Sequence, residues 1–507
     1  MAASIVLTGL AANDPVPGNY LQINFAQGVS AGSSTPREIL LMGNASAAGV
    51  ATRDTVVYGP DTQVPLQIEQ DAINLFGPGS ELHIMWRAVT AVNQVTTVRA
   101  IAVTSSAGTA ASATITIAGG TATGNGNFRF FYDGTFYDTA IVSGDTVTTI
   151  AVNIGLTLNA VTWLPFTSGN AAGVITLTAK IPGPRGNQIR YQTMITSGIT
   201  TTTTGTSDTA FTSGATADSN VAALATILAS RYYRIVSAAN DATQLGALVT
   251  QVGLQAQPIT GIRQRVFAGL GDTLANSITI ATGINNARAE IVWEKSGPHL
   301  PSDLAANQAA IVSLFEDQGD SPRCNFAGFG SEAITQPFWV VKAPRDITAF
   351  PTRVDIKSAL NNGLSPVGCN QNGSTYLVNR ITTRSLSGST QDYRIRDSHK
   401  VTICDFFADD LLSSINLQLA GKKIGDNPPP GGRAPSSDMV TPDIFKGVIF
   451  NIINTYDKNE LLQNVPAIKS GTVVQRETNP STRMSSRIPL NTVDIFLQSA
   501  NEVDQVG

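Results

Sequence analysis

A histidine and a cysteine that lie close together are the first residues of this chain that could support catalysis. His399 and Cys404 are five residues apart at the start of a helix predicted over residues 400–419. A Cys/His pair can generate a nucleophilic thiolate. The alternative is a histidine at a helix terminus near a buried helical cysteine. We favour this second interpretation, because His83 and His299, the other histidines of the chain, are far away in sequence.

Three aspartates follow in the same predicted helix. Asp405 and Asp409 are four residues apart and therefore share a helix face, and Asp410 lies beside them. Paired carboxylates can perform acid–base catalysis or hold a metal ion. An acid pair without further ligands more often forms a solvated helix face or a charged interface, and this is the interpretation we favour.

Motifs for nucleotide chemistry are incomplete. Gly269-Leu-Gly271 follows a predicted strand, as a dinucleotide-binding loop does, but the third glycine is missing and Ile280 is no ribose-binding acid. Gly421-Lys-Lys423 lacks the upstream glycine of a phosphate-binding loop. We interpret it as a helix C-cap with basic residues in the last turn. The sequence thus predicts no enzyme activity, no cofactor and no metal ion.

The low content of charged residues has two explanations. Only 14% of the 507 residues are charged, against about 25% in typical globular domains. A surface buried in an assembly explains this, and a solvated surface rich in threonine and serine explains it equally well. A net charge of −4 disfavours a broad nucleic-acid-binding face.

Targeting and cysteine signals favour folding in a reducing cytoplasm. The first residues lack the basic and apolar regions of a secretory signal, and no apolar stretch is long enough to span a bilayer. The three cysteines, Cys324, Cys369 and Cys404, match neither a disulfide framework nor a zinc site.

Strand-forming residues occur at both ends of the chain, without an obvious partner in their own domain. Unpaired strands are templates for pairing with another chain, so we predict that copies of the chain exchange strands. Residues 13–18 and 479–486 would be flexible connectors. The apolar residues of the two predicted strands are Ile5, Val6, Leu7, Ile488, Leu490, Val493, Ile495 and Leu497.

The elements between the two ends predict an α/β (α+β) multidomain protein. Alternating strands and helices are interrupted by a region rich in Thr, Gly, Ala and Ser, which reads as an inserted β-sandwich-like domain. We expect that this insertion can be excised without loss of the core. The predicted organisation is an N-terminal arm (1–18), a core (19–103 and 215–349), the insertion (104–214), a C-terminal domain (350–485) and a C-terminal arm (486–507).

Four segments in order resemble signature segments of contractile phage tail sheath proteins of the Mu-like variety. They are Pro17-Gly-Asn-Tyr20, Phe76-Gly-Pro-Gly-Ser-Glu-Leu82, Leu360-Asn-Asn-Gly-Leu-Ser-Pro366 and Val378-Asn-Arg-Ile-Thr-Thr383. The resemblance implies subunits that stack as hexameric rings around a tail tube, exchange strands and contract. The implied partners are further copies, the tail tube protein, the baseplate and the tail terminator, with no direct nucleic-acid contact and no membrane insertion.

The resemblance also implies a layout. The C-terminal domain would face the tube, with Lys446 and Lys458 as candidate contacts, and the insertion would project outward. The protein would be part of a virion tail that is assembled in the host bacterial cytoplasm. The sheath of a phage-tail-like bacteriocin or a secretion machine is an alternative within the same class. A surface-layer or adhesin protein and an α/β enzyme are alternatives from other classes.

Overall fold

The computed structural model describes residues 38–57, 66–105, 108–196, 202–227, 234–316, 342–370, 373, 375–479 and 481–494. Ile5, Val6, Leu7, Ile495 and Leu497 lie outside these ranges. The chain contains both α-helices and β-strands, and the strands form several sheets. This confirms the predicted α/β (α+β) class.

The first part of the core contains a fully buried strand and a well-capped helix. The strand is buried at every position, as its continuous apolar sequence predicts. Ser80 caps the second helix, because its hydroxyl accepts a hydrogen bond from the main-chain N–H of His83. The elements are β1 (Ile39–Asn44), β2 (Val56–Val57), α1 (Glu69–Phe76), α2 (Glu81–Thr90) and β3 (Val98–Val103).

The described residues of the insertion form a β-sandwich with one α-helix and a 3-10 turn at Pro184–Gln188. Its elements are β4 (Ala110–Ala118), β5 (Gly126–Tyr132), β6 (Thr135–Ile141), α3 (Val147–Ala160), β7 (Phe166–Ala171), β8 (Val174–Pro182), β9 (Arg190–Ile195), β10 (Thr202–Thr203) and β11 (Thr209–Ala210). The two antiparallel sheets have the orders β10-β4-β8-β7 and β11-β9-β5-β6. Phe130 stacks on Tyr191 and meets Phe166 edge-on in the shared core.

The core resumes after the insertion and extends further than expected. Its elements are α4 (Val221–Thr226), β12 (Arg234–Ser237), α5 (Ala242–Gln255), β13 (Arg265–Leu270), α6 (Leu274–Ile284), β14 (Ala289–Trp293), α7 (Pro301–Glu316), α8 (Arg353–Asn361), β15 (Ser365–Cys369) and β16 (Thr375–Leu377). The core sheet has the order β16-β15-β14-β13-β12-β1-β3-β2. Because β15 pairs in parallel with β14, the sheet continues beyond the boundary expected at residue 349.

The C-terminal part has a hydrophobic core of its own. Its elements are β17 (Leu386–Ser387), β18 (Thr390–Gln391), α9 (His399–Gln418), β19 (Lys423–Ile424), β20 (Met439–Val440), α10 (Pro442–Lys458), α11 (Val465–Gly471), β21 (Val473–Arg476) and β22 (Met484–Arg487). Phe407 meets Tyr456 edge-on between α9 and α10. The predicted cap of α9 was wrong: the C-cap is Leu419, the last turn holds no basic residue, and Gly421, Lys422 and Lys423 follow the helix.

The insertion attaches at the carboxyl ends of the parallel core strands. Arg185 of the insertion bridges Glu81, 3.0 Å away, and Asp218, 2.7 Å away, next to the end of β1. Ile84 and Leu300 of the core are buried in the hydrophobic cluster of the insertion. The two units therefore share a core, which disagrees with the expectation of a separable insertion.

The C-terminal domain attaches at the opposite, amino ends of the strands. Arg265 begins β13 and its guanidinium donates a hydrogen bond to the hydroxyl of Thr402 on α9. Arg288 precedes β14 and binds Asp405 on the same helix. The core sheet thus lies between the insertion and the C-terminal domain.

Candidate assembly surfaces

The hairpin formed by β21 and β22 is a separate two-stranded sheet among the described residues. The two strands pair antiparallel from Val473 with Arg487 to Arg476 with Met484, and they form a two-stranded sheet. Val474 and Met484 contact the hydrophobic core of the C-terminal domain. An isolated two-stranded hairpin is marginally stable at best and gains stability when further strands or helices pack on it. This hairpin is therefore the candidate acceptor for donated strands.

The segment after β22 contacts its own domain, so the strand predicted over residues 488–498 is wrong in its first part. Ile488 and Leu490 are half-buried against the C-terminal hydrophobic cluster. The predicted connector over residues 479–486 was also wrong, because Met484–Arg487 is a strand. The physical reason is that α10 and α11 offer an apolar surface beside the hairpin, which these side chains cover.

A short stretch of strand pairing with the C-terminal domain follows Leu490. Thr492 forms an isolated antiparallel bridge with Leu462, and the main-chain N–H of Val493 donates to the carbonyl of Leu461 at 3.3 Å. Donation of the residues beyond Asp494, including Ile495 and Leu497, stays a prediction. The same holds for Ile5, Val6 and Leu7.

The two lysines predicted to contact a tube lie on the same helix but do not form one patch. The ammonium nitrogen of Lys446 lies 5.5 Å from the ring centroid of Phe450, and that of Lys469 lies 5.9 Å from it. Lys458 is exposed at the last position of α10. At 1.5 Å per residue, Lys446 and Lys458 are about 18 Å apart along the helix axis. Their contact with a tube stays a prediction.

His399 and Cys404 do not form a catalytic pair. His399 is buried at the start of α9, and neither ring nitrogen has a hydrogen-bond partner in the described residues. Burial lowers the pKa of His399 to about 4, so the ring is a neutral imidazole at pH 7. Five residues correspond to about 140° around a helix, so the side chain of Cys404 points in another direction.

The three aspartates of α9 serve attachment and hydrogen bonding. Both carboxylate oxygens of Asp405 accept hydrogen bonds from the buried guanidinium of Arg288, at 2.8 and 2.9 Å. Asp409 pairs with Arg263 at 2.5 Å. Asp410 accepts a hydrogen bond from the hydroxyl of Tyr456. These partners use the carboxylates for contacts between elements, as the interface interpretation predicts.

The incomplete dinucleotide motif has a packing role. A Cβ atom on Gly269 would lie 1.8 Å from the carbonyl oxygen of Pro301, so only glycine lets the first turn of α7 pass this closely.

Residues 28–32 have the Gly-x-Ser-x-Gly spacing of a hydrolase nucleophile loop. They lie outside the described residues.

The sequence patterns missed a charged cluster at the junction of insertion and core. Nδ1 of His299 lies 2.6 Å from Oδ1 of Asp133 and 3.4 Å from Oδ2 of Asp303. One donor atom from each of the three residues lies within 4.8 Å of the others, a spacing that a metal ion could use. Asp133 is distant from the other two in sequence, so local spacing could not reveal the cluster. The one local signal is the turn dipeptide Asp133-Gly134.

No helix among the described residues is both long enough and apolar enough to cross a membrane.

Fold and surfaces together define an α/β protein with an inserted β-sandwich and a C-terminal domain that carries a two-stranded hairpin. No family model matches the sequence. A curated relative, the Mu-like prophage FluMu tail sheath protein of Haemophilus influenzae, is 29% identical over 175 residues. The match covers 34% of this chain and 34% of the relative, so the chain aligns with about a third of that protein. The similarity to Mu-like tail sheath proteins is thereby confirmed.

Two solved structures are similar over nearly the full chain. The sheath tail protein from Desulfitobacterium hafniense is 13% identical with a TM-score of 0.44, and the match covers 94% of this chain and 100% of that one. A chain of the anti-feeding prophage baseplate is 9% identical with a TM-score of 0.47, and the match covers 97% and 99%. Both TM-scores are below 0.5, so the domain arrangement of this chain is not inferred from them.

Proposed function

We propose that this chain is the structural subunit of a contractile tail sheath. Copies would polymerise helically, as stacked hexameric rings, around a tail tube and would contract to drive the tube through the host envelope during genome delivery. The curated relative and the order of the four signature segments support this proposal. The single observation that carries the assembly mechanism is the separate two-stranded β21–β22 hairpin on the hydrophobic core of the C-terminal domain.

Strand exchange would complete this hairpin. Residues around Ile5–Leu7 and around Ile495–Leu497 are the donors, and the edges of β21 and β22 are the acceptors. Each main-chain hydrogen bond contributes only about 0.5–1.5 kcal/mol net. Several bonds at both ends of every subunit nevertheless connect the whole lattice, because the contacts act multivalently.

The positions of the two attached units support the proposed radial layout. The insertion and the C-terminal domain attach at opposite ends of the core strands, so one can face outward while the other faces the tube. Contraction would then be a rigid-body rearrangement between two packings of the same subunits. The extended form would have the higher free energy and would be kinetically trapped, because an activation barrier would separate it from the contracted form.

Negative-stain electron microscopy of the purified full-length chain tests the proposal first. We expect hollow tubes of uniform diameter. A monodisperse monomer at high protein concentration, measured by light scattering, would contradict polymerisation.

Substitutions in the proposed C-terminal donor then test strand exchange. Deletion of residues 487–507 would also remove Ile488 and Leu490 from their own core, so changes are confined to residues after Asp494. The double variant Ile495→Asp and Leu497→Asp should remain folded, with an unchanged circular dichroism spectrum, and form no tubes. Ser499→Asp with Asn501→Asp adds the same charge nearby and should still form tubes. Normal tubes from the first variant would rule out donation by this segment.

A further inference from the structure

The chain that leads into α8 contacts both the core and the insertion, beginning at Lys342. The main-chain N–H of Lys342 donates a hydrogen bond to Nε2 of the buried His299 of the core at 2.7 Å. Its ammonium group donates to the hydroxyl of Thr135 on β6 at 3.3 Å. A Cβ atom on Gly134, in the β5–β6 turn, would lie 2.2 Å from Cδ of Lys342. Only glycine therefore lets the lysine side chain lie across this turn.

Arg345 extends the contact onto the outer face of the insertion sheet. Phe131 of β5 lies on this face, because its neighbours Phe130 and Tyr132 point into the hydrophobic cluster. The guanidinium carbon of Arg345 lies 3.6 Å from the ring centroid of Phe131, and Nη1 donates to the side-chain oxygen of Gln192 at 3.2 Å. Phe131 and Gln192 are direct partners in the pairing of β5 with β9. One side chain thus bridges a cross-strand pair.

The chain between Arg345 and α8 forms a hydrogen-bonded turn. The side chain of Asp346 accepts a hydrogen bond from the main-chain N–H of Thr348 at 2.9 Å, at the start of a 3-10 turn at Ile347–Ala349. The N–H of Phe350 donates to the carbonyl of Ile347 at 3.2 Å. Pro351 follows, and its ring fixes φ near −65°. A segment with these restraints is stiffer than an open loop, so a displacement at one end reaches the other.

The far end of this segment is fixed to the core through α8. Thr352 and Asp355 form a capping box, in which each side chain accepts a hydrogen bond from the other residue's main-chain N–H, at 3.2 and 2.9 Å. The carboxylate of Asp355 also accepts a hydrogen bond from the ammonium group of Lys295, which follows β14, at 2.9 Å. The helix packs on β15, and β15 pairs in parallel with β14. This end is therefore attached to the core sheet.

We propose that residues 342–355, here called the strap, couple the insertion mechanically to the β14–β15 side of the core sheet. The strap contacts the insertion at the Phe131–Gln192 pair and the core at Asp355, with the hydrogen-bonded turn between them. A change in the orientation of the insertion would displace α8, and a disturbed start of α8 would loosen β5 and β9. The inference does not depend on the proposed sheath function.

Hydrogen exchange of the full-length chain at neutral pH tests the insertion end of the strap. Arg345→Ala removes one cation–π contact and one hydrogen bond. We expect peptides that cover β5 and β9 to exchange about 5- to 30-fold faster. Arg353→Ala removes an exposed cation from α8, and it should leave the exchange of β5 and β9 unchanged.

A change at the core end tests whether the strap transmits a disturbance. Asp355→Ala removes the capping box and the pair with Lys295, so the first turn of α8 should exchange faster. The peptides of β5 and β9 should also exchange faster, by about two- to fivefold, as expected for coupled sites. The matched control is Asp241→Ala, which removes the N-cap of α5 and should affect α5 alone. Combining Arg345→Ala with Asp355→Ala should not increase exchange of β5 and β9 beyond the value for Arg345→Ala, because the bridge is already broken.

Two outcomes would overturn the inference. One is faster exchange of α8 in Asp355→Ala with no change in β5 and β9. The other is a double variant in which the two effects on β5 and β9 multiply, since independent sites behave in this way. Circular dichroism checks that each variant is folded. If Asp355→Ala does not fold, Lys295→Met takes its place: it removes the pair with Asp355, keeps the capping box, and should likewise accelerate exchange of β5 and β9.

Discussion

At the scale of one residue, burial of His399 makes the stability of the folded chain sensitive to acid. Its ring is neutral in the folded chain because burial lowers its pKa to about 4, whereas the ring in an unfolded chain has a pKa of about 6.5. The unfolded state therefore binds more protons between these values. The stability contributed by the neutral ring is complete above pH 6.5 and is lost as the pH falls toward 4.

Replacing this ring with one that cannot titrate should remove the acid sensitivity. We expect His399→Phe to be about 1–2 kcal/mol more stable relative to the unchanged protein at pH 5 than at pH 8. Urea unfolding followed by circular dichroism at both pH values measures this difference. The same change in stability at pH 5 and pH 8 would show that His399 titrates normally in the folded chain.

At the scale of elements, α9 depends on a buried ion pair for its position against the core sheet. Arg288 and Asp405 are 6% and 0% exposed in their side chains. Removing one partner of such a pair leaves a buried charge without compensation, which typically costs about 3–5 kcal/mol. Replacing both partners with apolar residues often restores the stability.

We expect Asp405→Ala to lower the free energy of unfolding by about 3–5 kcal/mol, and the double variant Arg288→Met with Asp405→Leu to recover most of this loss. Asp426→Ala is the matched control, because Asp426 is 78% exposed in its pair with Arg476 and should change stability by less than about 1 kcal/mol. Thermal unfolding compares the three variants. Equal losses from Asp405→Ala and Asp426→Ala would contradict a role of the buried pair.

At the scale of the whole molecule, the insertion and the core depend on each other. Excision of residues 106–213 with a short linker would uncover Ile84 and Leu300 and remove Arg185 from Glu81. Burial raises the pKa of Glu81 and Arg185 opposes that shift, so the excised chain would hold an uncompensated acid. We expect a lower melting temperature and faster proteolysis, both partly reversed by Glu81→Gln. An excised chain with an unchanged melting temperature would show that the insertion is separable.

Local patterns predicted most elements, but not how distant residues meet. The apolar run at Ile39–Asn44, the cap at Ser80 and the proline that begins α10 each carry their own local signal. The pairs His299–Asp133 and Arg288–Asp405 have no such signal, because a charged residue that will be buried has the same local sequence context as one on the surface. Ile488 and Leu490 show a second limit, since apolar residues beside a hairpin suit a donated strand and a packed tail equally well.

The order of the elements along the chain has a consequence for biosynthesis. Every strand of the eight-stranded sheet is translated before Val473, where the two-stranded β21–β22 hairpin begins. At roughly 5–20 residues per second, the stretch between Leu377 and Val473 takes on the order of ten seconds to translate. Small mixed α/β domains fold faster than this. In the proposed assembly, a nascent subunit would therefore present its β21–β22 hairpin to neighbours only after its core strands have had several seconds to pair, which would keep unfinished chains out of a growing polymer.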